Sequence, residues 1–276
     1  MKTAKIVALC SLIIAFTVGV AFAIPIDLTT GVDASVTASD SSIWRMANNH
    51  PTGTGVYDPF LRLGGNGAPT ETGLNTDAKH VTVYDDQGGG DQWVHSVKWG
   101  DVAIVTYNGK QYYDFTLDIN EADNSQARYL SLDVFKLYAY SGVLGGSATS
   151  VSQLGTAVYN LSLSNPVGPS VLLDYHLVNK GSGGDDMEAL IPVFAVDPNS
   201  FLYLYTEFGN YASYQEAVTK GKKITYNTVY PYGSDAGFEE WRVQPGTSKV
   251  PEPGMLLMFS TGLLGLGFFG RKKSNK

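Results

Sequence analysis

Three loops of this sequence concentrate the oxygen-bearing side chains that a calcium ion requires. They lie beside runs of glycine or at the end of a predicted strand. Calcium takes six to eight hard oxygen ligands on a flexible backbone. The spacing does not match an EF-hand, and Asp and Asn also form turns without a metal, so both interpretations stay open. The candidate ligands are Asp118, Asn120 and Asp123 (beside Glu121), then Asp185 and Asp186, with Asp85, Asp86 and Asp91 in a third loop.

The motifs of common hydrolases and metalloenzymes are absent from the sequence. No Gly-x-Ser-x-Gly or His-Glu-x-x-His occurs, and the four histidines stand far apart. Glycoside hydrolysis needs two carboxylates across a cleft, whereas the adjacent Glu239 and Glu240 would point to opposite faces of a strand. We therefore expect no enzymatic activity and no required cofactor. An exported glycan hydrolase is the least favoured alternative.

One aromatic strand could bind a glycan. In "FLYLYTEF", Phe201, Tyr203 and Tyr205 share one side, and Leu202 and Leu204 share the other. If the leucines pack inward, the three rings stand outward about 6.5–7 Å apart, which suits stacking on sugar rings. The alternative is that the rings form the core and the leucines lie under a loop.

Alternating apolar and polar residues predict the strands that would position these groups. The segment "VAIVTYNGKQYYDFTLDI" contains two such runs joined by Asn108-Gly109, the strongest short signal for a β-hairpin. Alternation in the second run predicts one buried and one solvated face. The buried residues would be Phe115, Leu117 and Ile119, and the solvated ones Asp114, Thr116 and Asp118.

Many short strands with Gly-rich connections predict an all-β fold, a β-sandwich of jelly-roll-like type in one domain. "YLSLDVFKLYAY" changes its alternation at Val134–Phe135, which indicates a bulge. Only Tyr211–Lys222 could form a short helix. Further strands are expected around "SVLLDYHLVN" and at His80–Tyr84, Trp93–Trp99, Ala157–Leu163, Glu188–Phe194, Phe201–Thr206 and Gly237–Val243.

The charge of the central region excludes one class of partner. Residues 24–250 contain 13 Lys and Arg against 25 Asp and Glu, a net charge of −12. A nucleic-acid partner would require the opposite sign. The acidic balance fits a soluble domain, cation binding or contact with neutral sugars.

The first residues form an export signal. Lys2 and Lys5 precede an apolar stretch, and Ala21-Phe22-Ala23 ends it as an A-x-A cleavage site for signal peptidase. The only cysteine, Cys10, would leave with this signal. The mature chain, beginning at residue 24, would then depend on its packed core and not on disulfides.

The carboxyl terminus has three parts in a fixed order. Pro251, Glu252 and Pro253 precede an uncharged stretch, Met255–Gly270, and the basic residues Arg271, Lys272 and Lys273 follow. Sixteen residues of helix cover about 24 Å, a minimal length against a hydrocarbon core of about 30 Å. Basic flanks stay on the cytoplasmic side, so the central region would lie outside the inner membrane.

This tail resembles the PEP-CTERM sorting signal of exported proteins in Gram-negative bacteria that make exopolysaccharide. The resemblance implies cleavage near Pro251–Pro253 by a membrane-embedded exosortase, a transient stay in the inner membrane, and delivery to the cell surface or extracellular matrix. Four internal stretches, "GVYDPFLRL", "LDINE", "GSGGDDMEALIP" and "GFEEW", are also similar to a group of such proteins with unassigned activity.

These observations predict five segments. They are a signal peptide at 1–23, a β-sandwich at 24–243, a linker at 244–254, a short transmembrane helix at 255–270 and a basic cytoplasmic tail at 271–276. The resemblance implies a surface or matrix protein associated with exopolysaccharide and biofilm. A carbohydrate-binding module is the alternative.

Overall fold

The computed structural model contains β-strands, turns and 3₁₀ segments, and no α-helix among the residues it describes. Those residues are 24–47, 58–64, 68–78, 84, 92–123, 127–144, 150–161, 170–178, 183–220, 223–234 and 236–243. Most of the strands form two seven-stranded sheets, and two more form a separate hairpin. The predicted all-β sandwich is confirmed.

The strands are numbered in chain order. The first eight are β1 (Ile26–Asp27), β2 (Ser35–Thr37), β3 (Ile43–Met46), β4 (Leu61–Leu63), β5 (Glu71–Leu74), β6 (Val97–Lys98), β7 (Ile104–Tyr107) and β8 (Lys110–Asp118). The other eight are β9 (Tyr129–Tyr140), β10 (Tyr159–Asn160), β11 (Val171–Asp174), β12 (Met187–Pro192), β13 (Phe201–Phe208), β14 (Tyr214–Lys220), β15 (Lys223–Val229) and β16 (Glu239–Val243). Short 3₁₀ segments occur at Trp99–Asp101, Val151–Leu154 and Tyr175–Leu177.

Each large sheet joins strands that are distant in sequence. The first sheet has the order β1-β11-β9-β13-β5, with β10 and β6 pairing alongside β9 and β13. The second has the order β2-β3-β12-β8-β16-β4, with β7 pairing with β8. All pairs are antiparallel except β1 with β11. The two sheets face each other across one hydrophobic core.

Aromatic side chains from both sheets meet at the centre of this core. The Phe135 ring lies 5.3 Å from Trp44, 5.7 Å from Phe115 and 5.1 Å from Trp241, measured between ring centroids. All four side chains are fully buried. Aromatic pairs of this kind contribute about 0.5–1.5 kcal/mol each beyond the area that they bury. The three contacts of Phe135 therefore stabilise the packing of one sheet on the other.

The predicted hairpin is present, with its turn at the expected residues. Asn108 and Gly109 join β7 to β8 and both have positive φ, 49° and 76°, as a type I′ turn requires. Phe115, Leu117 and Ile119 are buried in the core, as predicted.

The prediction that one face of β8 is solvated is wrong. Asp114, Thr116 and Asp118 are 4%, 0% and 1% exposed. The alternation is correct, but other groups cover this face: the Arg242 side chain of β16 contacts Thr116, and the Gly183 amide contacts Asp118.

The predicted bulge in β9 lies one residue earlier than expected. Along β13, Glu207 pairs with Val134 and Phe208 with Leu132, so Asp133 is the extra residue. The side chain of Asp133 accepts hydrogen bonds from the hydroxyls of Ser131 and Ser170 and from the Asn210 amide. The bulge allows both Leu132 and Phe135 to enter the core.

The predicted helix at Tyr211–Lys222 is wrong. Residues 214–220 form β14, which pairs along its whole length with β15. Both strands project from the sandwich with almost every residue exposed. The backbone pairing with β15 outweighs the weak local helix preference of this segment.

The remaining predicted strands are present but differ in length. Glu188–Phe194, Phe201–Thr206 and Gly237–Val243 correspond to β12, β13 and β16. Within Trp93–Trp99 only the two residues of β6 form a strand, and within the described part of Ala157–Leu163 only the two residues of β10 do. The strand in "SVLLDYHLVN" ends at Asp174, whose carboxylate accepts a hydrogen bond from the His176 amide and starts a 3₁₀ turn. His80–Tyr84 falls, apart from Tyr84, outside the described residues.

Candidate functional site

The outer face of the second sheet carries a row of charged side chains. The strand register places Arg45 of β3 opposite Glu188 of β12, and Glu188 opposite Thr116 of β8. Thr116 lies in turn opposite Arg242 of β16. Arg45 donates a hydrogen bond to Glu188, and Arg242 donates one to the Thr116 hydroxyl, 3.1 Å away. The row therefore crosses four strands.

Two further arginine–carboxylate pairs extend this charged layer. Arg242 forms a bidentate pair with Asp185, whose side chain is fully buried. Arg62 of β4 lies 3.2 Å from Glu240 of β16, and the Phe238 ring centroid is 3.7 Å from its guanidinium carbon. Removal of one partner from a pair at such depth leaves a buried charge without compensation, which is strongly destabilising.

Two aspartates of β8 have shifted pKa values in this layer. Burial, with the charges of Glu188 and Asp185 nearby, raises the pKa of Asp114 to about 7. Burial also raises the pKa of Asp118 to about 7, opposed by the hydrogen bond from the Gly183 amide. Both groups therefore titrate near neutral pH, which is unusual for aspartate.

A second group of acids lies at one end of the sandwich, on the core side. Glu239 is 0% exposed, and its carboxyl group interacts directly with those of Glu71 and Glu121. Burial, followed by the charge of Glu71 and of Glu121, raises the pKa of Glu239 well above its usual value. Glu239 therefore stays protonated at pH values where an exposed glutamate is ionised. Glu240, its neighbour, points to the opposite face and pairs with Arg62.

Two surface cavities adjoin the sandwich. One of about 300 Å³ is lined by the Arg45–Glu188 pair, Tyr107 and Asp33. The Arg45 guanidinium carbon lies 4.8 Å from the centroid of the Tyr107 ring, and Arg45 also donates a hydrogen bond to Glu188. Arg45 therefore already engages both of these side chains. A second cavity, of about 370 Å³, lies between Tyr159 and Phe194 and contains one carboxylate, Asp40. Each can hold a small polar group.

Among the described candidate calcium ligands, the Asp118 and Asp186 side chains interact with each other, and the others have separate partners. Asp118 accepts a hydrogen bond from the Gly183 amide, Asp186 accepts one from the Ile119 amide at 2.9 Å, and Asp185 pairs with Arg242. The Asn120 side chain accepts from the Tyr175 hydroxyl, and Asp123 lies 3.0 Å from His176. In the part of the chain that the structure describes, no group of three or more His, Cys, Asp or Glu could hold a metal ion. Asp85, Asp86 and Asp91 lie outside that part.

The expected outward platform of aromatic rings is wrong at its centre. Leu202 and Leu204 pack into the core, as that interpretation required. Tyr203, however, is 0% exposed, and its hydroxyl accepts a hydrogen bond from the Leu144 amide at 2.6 Å. A loop layer containing Leu144 and Leu154 covers the ring and forms a second hydrophobic cluster. Phe201 and Tyr205 are only partly buried beside it.

The residues predicted for processing lie outside the described part of the chain. They are Ala21 and Ala23 at the signal cleavage site, and Pro251, Glu252, Pro253, Arg271, Lys272 and Lys273 in the tail. Met255–Gly270 lies there too. Where the structure describes the chain, it contains no helix long and apolar enough to span a membrane.

Sequence patterns did not single out most of the charged layer. Asp114 was expected in solvent, and Arg45 was not singled out. The available signal was the occurrence of acids within strands that were otherwise largely apolar, two in "YDFTLD" and one in "MEALIP". Arginine at matching positions of β3 and β16 balances these acids, but only the strand register reveals the pairs.

Comparison with known proteins identifies the tail and not the sandwich. A family model described as the PEP-CTERM protein-sorting motif matches residues 249–273. No curated protein and no solved structure matches the chain. The match confirms the resemblance seen at Pro251–Pro253 and includes the apolar stretch and the basic cluster. The motif implies export, processing by an exosortase, and sorting at the membrane to the cell surface.

Proposed function

We propose that this exosortase-sorted protein acts outside the cell as a non-catalytic surface or matrix component associated with exopolysaccharide. The observation that carries the proposal is the sorting motif at residues 249–273, placed directly after a β-sandwich that ends at Val243. Such an arrangement suits a folded domain that is delivered outward and then works by adhesion or assembly.

The placement of the acids supports a non-catalytic role. A glycosidase needs an acid and a base facing each other across an open cleft. Here Asp114, Asp118 and Glu239 have raised pKa values but are buried at 0–4% exposure. Glu188, which does line a cavity, accepts a hydrogen bond from Arg45 and so is already engaged within the sheet.

The sorting step can be tested with one substitution in the full chain. In a host with exosortase, the mature protein should begin at Ile24 and lack the apolar stretch. Glu252→Ala, or deletion of Arg271–Lys273, should leave uncleaved protein in the inner membrane. Mass spectrometry of the mature carboxyl terminus and membrane fractionation measure both. The matched control is Thr247→Ala, which precedes the motif and should be processed normally. Normal release of Glu252→Ala would contradict the sorting role of the triplet.

The exopolysaccharide association needs a separate measurement. The processed protein should fractionate with the extracellular matrix of a strain that makes exopolysaccharide and should enter the medium in a strain that does not. Equal distribution in both strains would refute the association while leaving the sorting step intact. Binding of the purified mature protein to the isolated polysaccharide, saturable and competed by oligosaccharide fragments, would instead indicate the carbohydrate-binding alternative.

A further inference from the structure

The β14–β15 hairpin is the least buried part of the described structure. Its two strands pair only with each other, over seven residues each. Ile224 and Tyr226 are 59% and 69% exposed, and Tyr214 is 52% exposed. An isolated two-stranded hairpin is at best marginally stable in water, because it has no hydrophobic face to bury. A hairpin of this length therefore requires a partner to be well ordered.

The outer edge of β15 has the composition of a strand that pairs with another strand. Its sequence, Lys-Ile-Thr-Tyr-Asn-Thr-Val, contains five β-branched or aromatic residues, one charge, and neither proline nor glycine. By contrast, β14 contains Glu216 and Lys220. The β15 edge thus carries fewer of the charges that normally prevent strands from pairing between molecules.

The sandwich protects its own edges, and the hairpin does not. The end strands of the two large sheets are β1, β5, β2 and β4, which have two, four, three and three residues. Short edge strands are a common protection against pairing between molecules. Among the described residues, the hairpin alone presents edges seven residues long.

The charge distribution favours a second copy of this chain as the partner. Residues 211–230 contain Lys220, Lys222 and Lys223 against Glu216, a net charge of +2 in a region whose total is −12. Lys220 and Lys223 form the last pair of the hairpin, and Lys222 lies between them in the sequence. Carboxylates lie near the base of the hairpin: Asp133 accepts a hydrogen bond from the Asn210 amide, the charge of Glu207 acts on Asp133, and that of Asp27 acts on Tyr232. Antiparallel pairing of two hairpins brings each basic tip to the other acidic base.

We propose that two copies associate by pairing their β15 strands antiparallel about a two-fold axis at Tyr226, forming a four-stranded sheet. Tyr226 is the middle residue of Lys223–Val229, so this register pairs all seven residues of both strands. Tyr226 then faces its counterpart, an aromatic cross-strand pair. The two Lys223 side chains lie about 20 Å apart, which is beyond the range of charge repulsion at physiological salt. This inference deepens the proposed function, because it names the partner used for assembly.

A single cysteine tests the register. Residues directly opposite each other in antiparallel strands have Cα atoms about 4.5–5.5 Å apart, within reach of a disulfide. The only native cysteine, Cys10, is first replaced by alanine. In the full chain, expressed in an exporting host with exosortase and mildly oxidised, Tyr226→Cys should give mostly covalent dimer on a non-reducing gel. Ala217→Cys is the matched control, since it lies opposite Tyr226 within the same hairpin but on β14. It should remain monomeric.

Charge reversal provides a second readout. Tyr226→Lys and Tyr226→Glu should each abolish the dimer of the secreted protein in sedimentation experiments, and mixing the two variants should restore it. Tyr214→Lys, on β14, should dimerise like the native protein. Three results would overturn the proposal. The Tyr226→Cys variant could stay monomeric, Ala217→Cys could cross-link equally well, or the two charge variants could stay monomeric when mixed. If the Tyr226→Cys dimer forms but the protein does not fractionate with the matrix, only the exopolysaccharide association is contradicted.

Discussion

The sandwich and the β14–β15 hairpin use similar strand-forming residues in opposite surroundings. Tyr203 of β13 is 0% exposed, whereas Tyr226 of β15 is 69% exposed. In the sandwich, β8 and β13 are covered on both faces, by the core on one side and by charged side chains or loops on the other. In the hairpin, both faces are open. Backbone hydrogen bonding between β14 and β15 therefore maintains the hairpin, whereas the burial of side chains maintains the sandwich.

The difference has an energetic meaning. Each fully buried apolar side chain of the sandwich contributes about 1.5–3 kcal/mol relative to an exposed one. The hairpin gains little from burial, and it still loses the conformational entropy of the residues that it orders. We infer that the stability of the domain resides in the sandwich and that the hairpin is free to serve an intermolecular contact.

The largest effect is expected at Tyr203. Tyr203→Ala should lower the free energy of unfolding by about 3–5 kcal/mol, since it removes a buried ring beneath the loop that contains Leu144. Urea denaturation of the secreted mature protein measures this change. Tyr203→Phe is the control: it keeps the ring and leaves the Leu144 amide without its acceptor, which costs about 1–3 kcal/mol. A Tyr203→Ala variant as stable as the native protein would remove the distinction between the two regions.

The buried acids should make the sandwich sensitive to pH. The pKa of Asp114 is about 7 in the folded chain, against 3.8 for an unperturbed aspartate, which stands for the unfolded chain. As pH rises, the unfolded chain therefore loses this proton first. Asp114 therefore favours folding below pH 3.8, and this contribution is lost as pH rises to about 7. Asp114→Asn should reduce this pH-dependent fall in the free energy of unfolding by at most about 4 kcal/mol. Parallel stability curves for both proteins between pH 4 and pH 8 would contradict the assignment.

A smaller effect is expected at the turn between β7 and β8. Gly109 has a φ of 76° with open space around it, so backbone strain is the only cost of a side chain there. Gly109→Val should reduce stability by about 2 kcal/mol, because a β-branched residue resists positive φ. Gly109→Asn should cost much less, as Asn108 already adopts positive φ. Thermal melting compares the two, and equal melting temperatures would show that the turn is not strained.

The smallest effect is expected at Tyr226. In dilute mature protein, Tyr226→Ala should change the free energy of unfolding by no more than about 0.5 kcal/mol, because the ring makes little contact within its own chain. The same urea denaturation used for Tyr203 measures it. A loss comparable to that of Tyr203→Ala would show that the hairpin is part of the folded core.

The two hairpins also show where sequence patterns succeed. For β7 and β8, Asn108-Gly109 specifies the turn and apolar alternation specifies the buried face, so both were predicted. For β14 and β15, the residues between the strands are Gly221-Lys222, and neither strand has an apolar face. Without burial there was little apolar periodicity to detect, and Tyr211–Lys222 was predicted as a possible short helix.

The charged layer illustrates a different limit. Single-strand alternation correctly separated Asp114, Thr116 and Asp118 from the core-facing residues of β8. It could not show that this second face is also covered, because the partners come from β3, β12 and β16, far away in the sequence. The same limit applies to Tyr203, whose cover comes from a loop about 59 residues earlier.

Local sequence alone determined the sorting motif at the end, the all-β class and the turn at Asn108-Gly109, and it predicts an export signal at the start. Each depends on residues that are neighbours in the chain: a contiguous apolar stretch, a proline-bounded triplet, a period of two, or a pair that tolerates positive φ. Only the tertiary structure decided which polar residues are buried, where the acids lie relative to the arginines, and which aromatic rings remain exposed. Those outcomes depend on strand register and loop cover, which arise from contacts between residues that are distant in sequence.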